Sequence, residues 1–168
     1  KDGQVGWELQ RALAPLGTLV ALGRKNPNGL CGDLTKLDDL RATIRDIKPT
    51  VIVNAAAYTA VDRAEEDRDL ANLINAEAPA LLAEEAEAQA ALLVHYSTDY
   101  VFDGSGNRPW REQDPAAPIN YYGATKLAGE SAIRSTGCRH LIFRTSWVYA
   151  ARGSNFLGTM TNLIEERD

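Results

Sequence analysis

Cysteine, histidine, long apolar runs and basic clusters are all scarce in this chain, and each scarcity removes a class of function. The only cysteines, Cys31 and Cys138, show neither C-x-x-C nor metal-ligand spacing, so two free thiols in a reducing cytoplasm are expected. The two histidines, His95 and His140, have no metal-type ligand close in sequence and stand among apolar neighbours, so structural roles are expected for both. No apolar run approaches the length of a membrane span, and the opening Lys1-Asp2-Gly3-Gln4 lacks the apolar core of a signal peptide, which predicts a soluble protein. With a net charge of -5 and no block of Lys and Arg, the chain offers no nucleic-acid surface; a phosphate-bearing ligand would have to be held locally.

What is present is ordinary globular material. A chain of 168 residues with 45% hydrophobic and 24% charged residues suits one domain with a sizeable core. It starts at a glycine turn with no strand in front and stops at Asp168 within a helical pattern, so a fragment is expected.

Gly3-Gln4-Val5-Gly6 runs straight into Trp7, Leu9, Leu13 and Leu16 at helical spacing. A helix start behind a glycine turn exposes N–H groups and the positive end of the dipole, which suits a pyrophosphate, although a plain loop-to-helix turn has the same pattern. The full dinucleotide fingerprint needs one more glycine and a preceding strand. Thr18-Leu19-Val20-Ala21-Leu22 is read as a strand, followed by Gly23, Arg24 and Lys25 and a Pro/Asn/Gly loop through Asn28-Gly29. A basic residue at that strand end accommodates a 2'-phosphate and tilts the choice toward NADP, with a solvated basic loop as the other reading.

Asp33-Leu34 closes the loop, and Thr35 is expected to cap a helix from Lys36 to about Lys48. Pro49 to Val53 reads as a buried strand ending in Asn54-Ala55-Ala56-Ala57. Small side chains at a strand's carboxyl end let a flat ligand approach the backbone, and they also suit a tight packing corner. From Val61 to about Ala90 the chain is helix-rich, with a kink or new start near Asn75 to Pro79. Ala91 to Tyr96 is another buried strand, followed by Ser97-Thr98-Asp99-Tyr100, whose hydroxyls and carboxylate suit either a substrate or a polar turn. Gly104 to Ile119 reads as a covering loop, Asn120 as the cap of a helix running to about Ser135, and Arg139 to Arg144 as a strand with Thr145 to Tyr149 past its end. Strand and helix alternate four times, which predicts an α/β fold: a doubly wound parallel sheet of Rossmann type, with residues 1–168 as one NAD(P)-binding domain.

On the helix after Asn120, Tyr122 and Lys126 project from one face, their β-carbons roughly 5–6 Å apart. A phenol with a pKa of about 10 is a poor proton donor or acceptor at neutral pH. Bringing it near 7 takes about 3 units, roughly 4 kcal/mol, within reach of a partly desolvated pair with an ammonium beside it.

Gly-Gln-Val-Gly-Trp-Glu-Leu, Asn-Ala-Ala-Ala-Tyr-Thr-Ala-Val-Asp, Ser-Thr-Asp-Tyr-Val-Phe-Asp-Gly, Tyr-Gly-Ala-Thr-Lys and Arg-Thr-Ser-Trp-Val-Tyr, in this order, closely resemble the dTDP-4-dehydrorhamnose reductases, a family of extended short-chain dehydrogenase/reductases. The resemblance covers Gly3 to about Met160. It implies reduction of the C4 keto group of dTDP-4-dehydro-L-rhamnose by NADPH or NADH, giving dTDP-L-rhamnose for surface polysaccharide. It further implies Tyr122 as proton donor, Lys126 as its tuner and ribose ligand, both of them also cofactor-binding, and Thr98 as the hydroxyl that orients the carbonyl. Val61, Asp99, Tyr100 and Trp147, with Thr98, match the sugar pocket. Gly3, Gln4, Val5, Gly6, Asp33, Leu34, Ala55, Ala56 and Ala57 match the cofactor groove, to which Arg24 is added on its charge. The first strand, the first glycine and most of the substrate domain are absent from the pattern. Some members hold magnesium at a dimer contact through a glutamate matching Glu8, with partner ligands that would lie beyond Asp168, so no metal is expected; a homodimer is compatible with the pattern.

Two other functions share these motifs. A nucleotide-sugar epimerase or dehydratase of the same superfamily is one, but a dehydratase is expected to carry Thr-Asp-Glu where this chain has Thr98-Asp99-Tyr100. A non-catalytic regulatory subunit, resembling that of methionine adenosyltransferase, is the other; the intact Thr98, Tyr122 and Lys126 set favours the enzyme.

Overall fold

The computed structural model describes residues 1–25, 28–150, 152–153 and 155–165. Asn26 and Pro27 of the expected loop, and the chain end at Asp168, lie outside the described residues. Three strands, β1 (Val51–Asn54), β2 (Leu92–Thr98) and β3 (His140–Thr145), pair in parallel in the order β1-β2-β3. Val51 pairs with Leu92 and Asn54 with His95, while Thr98 pairs with Thr145, so the strand ends that carry polar residues line up. Strands joined in parallel need crossovers, and helices supply them.

The helices are α1 (Gln4–Leu13), α2 (Leu37–Ile47), α3 (Arg68–Asn72), α4 (Ala78–Ala88), α5 (Tyr121–Thr136) and α6 (Phe156–Glu165). Leu40 and Ile44 of α2, Leu81, Leu82, Ala83 and Ala86 of α4, and Ile133 of α5 form one core with Leu93 of β2. The architecture is therefore a parallel sheet flanked by helices, Rossmann-like. On the opposite face Leu141 and Phe143 are exposed. There α1 and the segment after β3 border an open groove of about 300 Å³ lined by Val5, Leu9, Ala12, Tyr96 and Val148.

Two local expectations need correction. The span 18–22 is not a strand: among the described residues no strand lies beside it, so its peptide groups close no ladder, and the Lys1 amino group donates to the Leu22 carbonyl at 2.9 Å. Thr35 does not cap α2. Its N–H and hydroxyl instead turn back onto Asp33 Oδ1, at 3.0 and 2.8 Å, in an Asx-type turn. The break near Pro79 is present as a widened π turn over Leu73–Glu77, directly followed by α4 with Pro79 in its first turn.

Candidate active site

The polar ends of β1 and β2 and the first two turns of α5 build the site. Asn120 caps α5 with its Oδ1, which accepts from Gly123 N–H at 2.7 Å; Glu65 Oε1 accepts from Tyr121 N–H at 2.7 Å. Two orphan donors of the helix start are thereby satisfied, and the turn that carries Tyr122 is fixed. Glycine at 123 is required by packing, because a Cβ there would run into the Tyr100 carbonyl oxygen. That contact places the Thr98-Asp99-Tyr100 segment against α5.

Tyr122 is buried, its ring edge-on to Tyr100 with centroids 5.7 Å apart. Burial pushes its phenol up; a hydrogen bond with Thr98 pulls it down, the Asp99 charge and Tyr100 push it up, and the phenol stays above its ordinary value. The expected lowering by Lys126 is thus not a property of the chain by itself. Thr98 also accepts from Tyr100 N–H and donates to Asp99 Oδ1, both at 3.2 Å. Thr98 and Tyr122 are therefore brought together.

Lys126 is 1% exposed. Burial pushes its ammonium down to about 8, against an upward pull from Glu130. Its Nζ donates to the Tyr96 carbonyl at 2.7 Å and lies 3.3 Å from His95 Nε2. Asn54 Nδ2 meets His95 Nδ1 at 3.1 Å, and Asn54 Oδ1 accepts from Ala56 N–H at 3.1 Å. His140, the other histidine expected to be structural, contacts the Cys138 carbonyl through Nδ1 at 2.8 Å.

The small residues Ala55–Ala57 lie next to this network, Ala56 N–H donating to Asn54. Asn75 accepts from Tyr58 N–H at 2.9 Å and donates to the Tyr58 carbonyl and to Thr125 Oγ1, both at 3.1 Å, so the Ala55–Ala57 segment is tied to the residue before Lys126. Val61 packs with Tyr58 and Tyr122 in a small cluster of its own. At α1, Gly3 stands at the N-cap in an extended conformation and puts no side chain over the first turn. A Cβ on Gly6 would press on the Lys1 backbone at 3.2 Å, so glycine lets α1 lie close there.

Other sequence candidates are placed less centrally. Arg24 is exposed, and its charge, with that of Lys36, helps hold the Asp33 carboxyl below its ordinary value, after the Thr35 N–H bond as the largest cause. The Leu34 side chain is part of the core and has only its backbone to offer a ligand. Trp147 is exposed, has a positive φ of 46° and packs edge-on against Phe156 at 4.8 Å, apart from the Tyr122 cluster. Among the described residues, no three of His, Cys, Asp and Glu gather as a metal site, and no helix is long and apolar enough to cross a membrane. Sequence reasoning missed Asn54, Asn75, the His95–Lys126 contact and Glu130; their signal was a polar residue inside an otherwise apolar element.

Comparison with known proteins agrees with this geometry. The RmlD substrate binding domain family matches residues 1–168. The dTDP-4-dehydrorhamnose reductase of Escherichia coli K12 is 54% identical over the whole of this chain, which covers 56% of that protein. The same enzyme of Burkholderia thailandensis is 52% identical over 99% of the chain and 54% of its own length. A crystal structure of Bacillus anthracis dTDP-4-dehydrorhamnose reductase in complex with NADP superimposes with a TM-score of 0.90 at 39% identity, over 99% of this chain and 58% of that one. The chain thus spans somewhat more than half the length of the relatives it matches. Matched from its first residue to its last, the chain belongs to the RmlD substrate binding domain family.

Proposed function

We propose that this chain supplies the cofactor-binding and catalytic part of a reductase that uses NADPH to convert the C4 keto group of dTDP-4-dehydro-L-rhamnose to the alcohol of dTDP-L-rhamnose. The observation that carries this reading is the convergence of Thr98, Tyr122 and Lys126 beside the Ala55–Ala57 groove. The residues fit a dinucleotide: Gly3 leaves the start of α1 without a covering side chain, Ala56 is exposed among small residues, and Lys126 offers buried N–H donors. Gly3, Gln4, Val5 and Gly6 would hold its pyrophosphate, Asp33, Leu34, Ala55, Ala56 and Ala57 would line its groove, and Lys126 would hold the nicotinamide ribose. Arg24 favours NADPH, with NADH as the alternative donor. When bound, the nicotinamide supplies the hydride.

The chain's own residues handle the proton and the charge. Thr98, whose hydroxyl acts on the Tyr122 phenol, orients the sugar carbonyl, and Tyr122 gives its phenolic proton to the oxygen as the C–O bond becomes an alkoxide, so negative charge does not build up there. The resulting phenolate is stabilised by the Lys126 ammonium and is reprotonated from water. Val61, Asp99, Tyr100 and Trp147 would line the sugar pocket. The working site is the cytoplasm, where nucleotide sugars are made, and the assembly is a homodimer. The test is to supply purified protein with dTDP-4-dehydro-L-rhamnose and NADPH and follow NADPH absorbance together with dTDP-L-rhamnose by chromatography. Stoichiometric conversion is expected; formation of a C4 or C5 epimer without NADPH consumption would overturn the reading in favour of an epimerase.

A further inference from the structure

The proton count of the buried network around Lys126 can be read from its hydrogen-bond partners. Ala56 N–H donates to Asn54 Oδ1 and so fixes which way the amide faces, leaving Asn54 Nδ2 toward His95 Nδ1. An amide nitrogen only donates, so His95 Nδ1 accepts and the ring carries its proton on Nε2. The ring is neutral: burial, joined by the Lys126 charge and opposed by Glu130, pushes it down to about 3. Nε2–H then points at Lys126 Nζ, 3.3 Å away. An ammonium has no lone pair to receive it, whereas a neutral amine has one and can still donate to the Tyr96 carbonyl. The opposite tautomer would set His95 Nδ1–H against the Asn54 amide protons, and turning that amide over would set those protons against Ala56 N–H.

We propose that His95 is a positioning residue for Lys126: its Nε2–H faces Nζ, opposes the ammonium form in the resting chain and ties the lysine's proton count to Asn54 and Ala56. The proposal rests on the role given above to Lys126. With its midpoint near 8, Lys126 is mostly ammonium at neutral pH but loses its proton more readily than a free lysine, and the Tyr122 oxygen or ligand hydroxyls, as new acceptors, strengthen the charged form that stabilises the phenolate. Four elements face this site. From α5 come Tyr122 and, one turn beyond Lys126, Glu130, which is bound to Ser97, Arg134 and Arg144. From β2 comes His95, from β1 the uncharged Asn54, and from the turn after β2 come Asp99 and Tyr100, which act on Tyr122. Of these charges, Glu130 is the one that pulls Lys126 toward its charged form.

The experiment is an NMR titration of the full chain carrying lysine labelled with carbon-13 at Cε and histidine labelled with nitrogen-15, with the Lys126 signal assigned by its loss in Lys126→Arg. The wild-type Lys126 midpoint is expected at about 8. His95→Asn keeps a polar group facing Asn54 but falls short of Nζ, and is expected to raise that midpoint by about one pH unit. His95→Gln reaches Nζ with an amide N–H and is expected to bring it back toward wild type. The pH profile of kcat should move in the same order, with the KM for NADPH changing less than kcat. An unchanged Lys126 midpoint in folded His95→Asn overturns the proposal. So does a wild-type His95 spectrum showing the proton on Nδ1, a reading that needs no variant. Both NMR measurements are made without sugar or NADPH, so they stand or fail independently of the proposed reductase activity.

Discussion

Arg144 grips Glu130 with two hydrogen bonds, Nε to Oε1 at 2.9 Å and Nη2 to Oε2 at 2.7 Å, across the seam between β3 and α5. Ser97 donates to the same carboxylate at 2.6 Å, and Arg134 at 2.9 Å. The pair pins α5, and with it Tyr122 and Lys126, to the sheet.

Removing Glu130 should therefore be costly. Glu130 is fully buried, and Arg144 Nη1 is already buried without a partner, so Glu130→Ala would leave the whole guanidinium unmatched. Breaking such a pair from one side costs about 3–5 kcal/mol, and urea unfolding at neutral pH should register a loss of that size; a change under about 1 kcal/mol would mean that the pair behaves like a surface one. Burial pushes the Glu130 carboxyl up, and hydrogen bonds from Arg144 and Ser97 with the Arg144 and Arg134 charges more than offset it, so its folded-state pKa lies below the ordinary value. A depressed carboxylate stabilises fully above the ordinary glutamate range and loses its contribution as pH falls through the lower folded value. Glu130→Gln should accordingly flatten the acid limb of the stability curve relative to wild type.

Gly129 gives a test in which propensity and packing have opposite signs. In a free helix, alanine is about 1 kcal/mol better than glycine. Here a Cβ at 129 would strike the Asn75 carbonyl oxygen in the π turn, where backbone cannot yield cheaply. Gly129→Ala should destabilise by about 1–3 kcal/mol, measured by the same urea titration. A stabilised variant would show that the two elements do not pack this closely in solution.

How much of this was legible beforehand follows from the range of each interaction. The cap at Asn120 and the extent of α5 depend on residues within one turn, and the apolar runs of β1, β2 and β3 announce themselves locally. Thr98, Tyr122 and Lys126 could be named from motif likeness. The span 18–22 has the same local pattern as those strands, but a strand exists only through its neighbour, and none among the described residues lies beside it. The partners of Lys126 and Asn75 were illegible for the related reason that they lie far along the chain, His95 31 residues from Lys126 and Asn75 50 residues from Thr125. Nothing in the order of residues says which buried polar groups will meet. The upward direction of the Tyr122 pKa in the chain by itself was not legible, because the motif shows the ammonium but not the burial of the phenol or the Tyr96 carbonyl that engages Lys126.

The loop over residues 104–119 is held by one carboxylate. Asp114 accepts from Arg108 Nη1 and Nη2 at 2.8 and 2.9 Å and from Arg111 N–H at 2.8 Å, while Trp110 lies flat on Phe102 with centroids 4.6 Å apart. The Arg108 bonds first, then the Arg111 N–H, hold the Asp114 carboxyl down to about 2. The clamp is therefore intact above the ordinary aspartate range and opens only as pH falls through about 2. Asp114→Ala should increase cleavage by protease within this loop several-fold at neutral pH and leave the global unfolding midpoint nearly unchanged. Equal cleavage rates in variant and wild type would show that the Phe102–Trp110 stack suffices.

The phenol of Tyr122 gives the sharpest test of the proposed chemistry, because its hydroxyl can be deleted with the ring left in place. The ring packs on Tyr100 and in the cluster with Ala64 and Ala71, so Tyr122→Phe keeps the buried surface and loses only the phenolic oxygen. General acid catalysis by a positioned side chain contributes roughly 10²–10⁴-fold. Turnover of dTDP-4-dehydro-L-rhamnose by the full chain should fall by that factor, while NADPH affinity, measured by nucleotide fluorescence, should stay within a few-fold of wild type because the groove residues are untouched. Thr98→Val should give a smaller loss in kcat, since it removes the orienting hydroxyl and leaves the proton donor. If Tyr122→Phe kept wild-type turnover, the proton would have to come from another group, and Asp99, whose charge acts on the Tyr122 phenol from the turn after β2, would be the one to replace next.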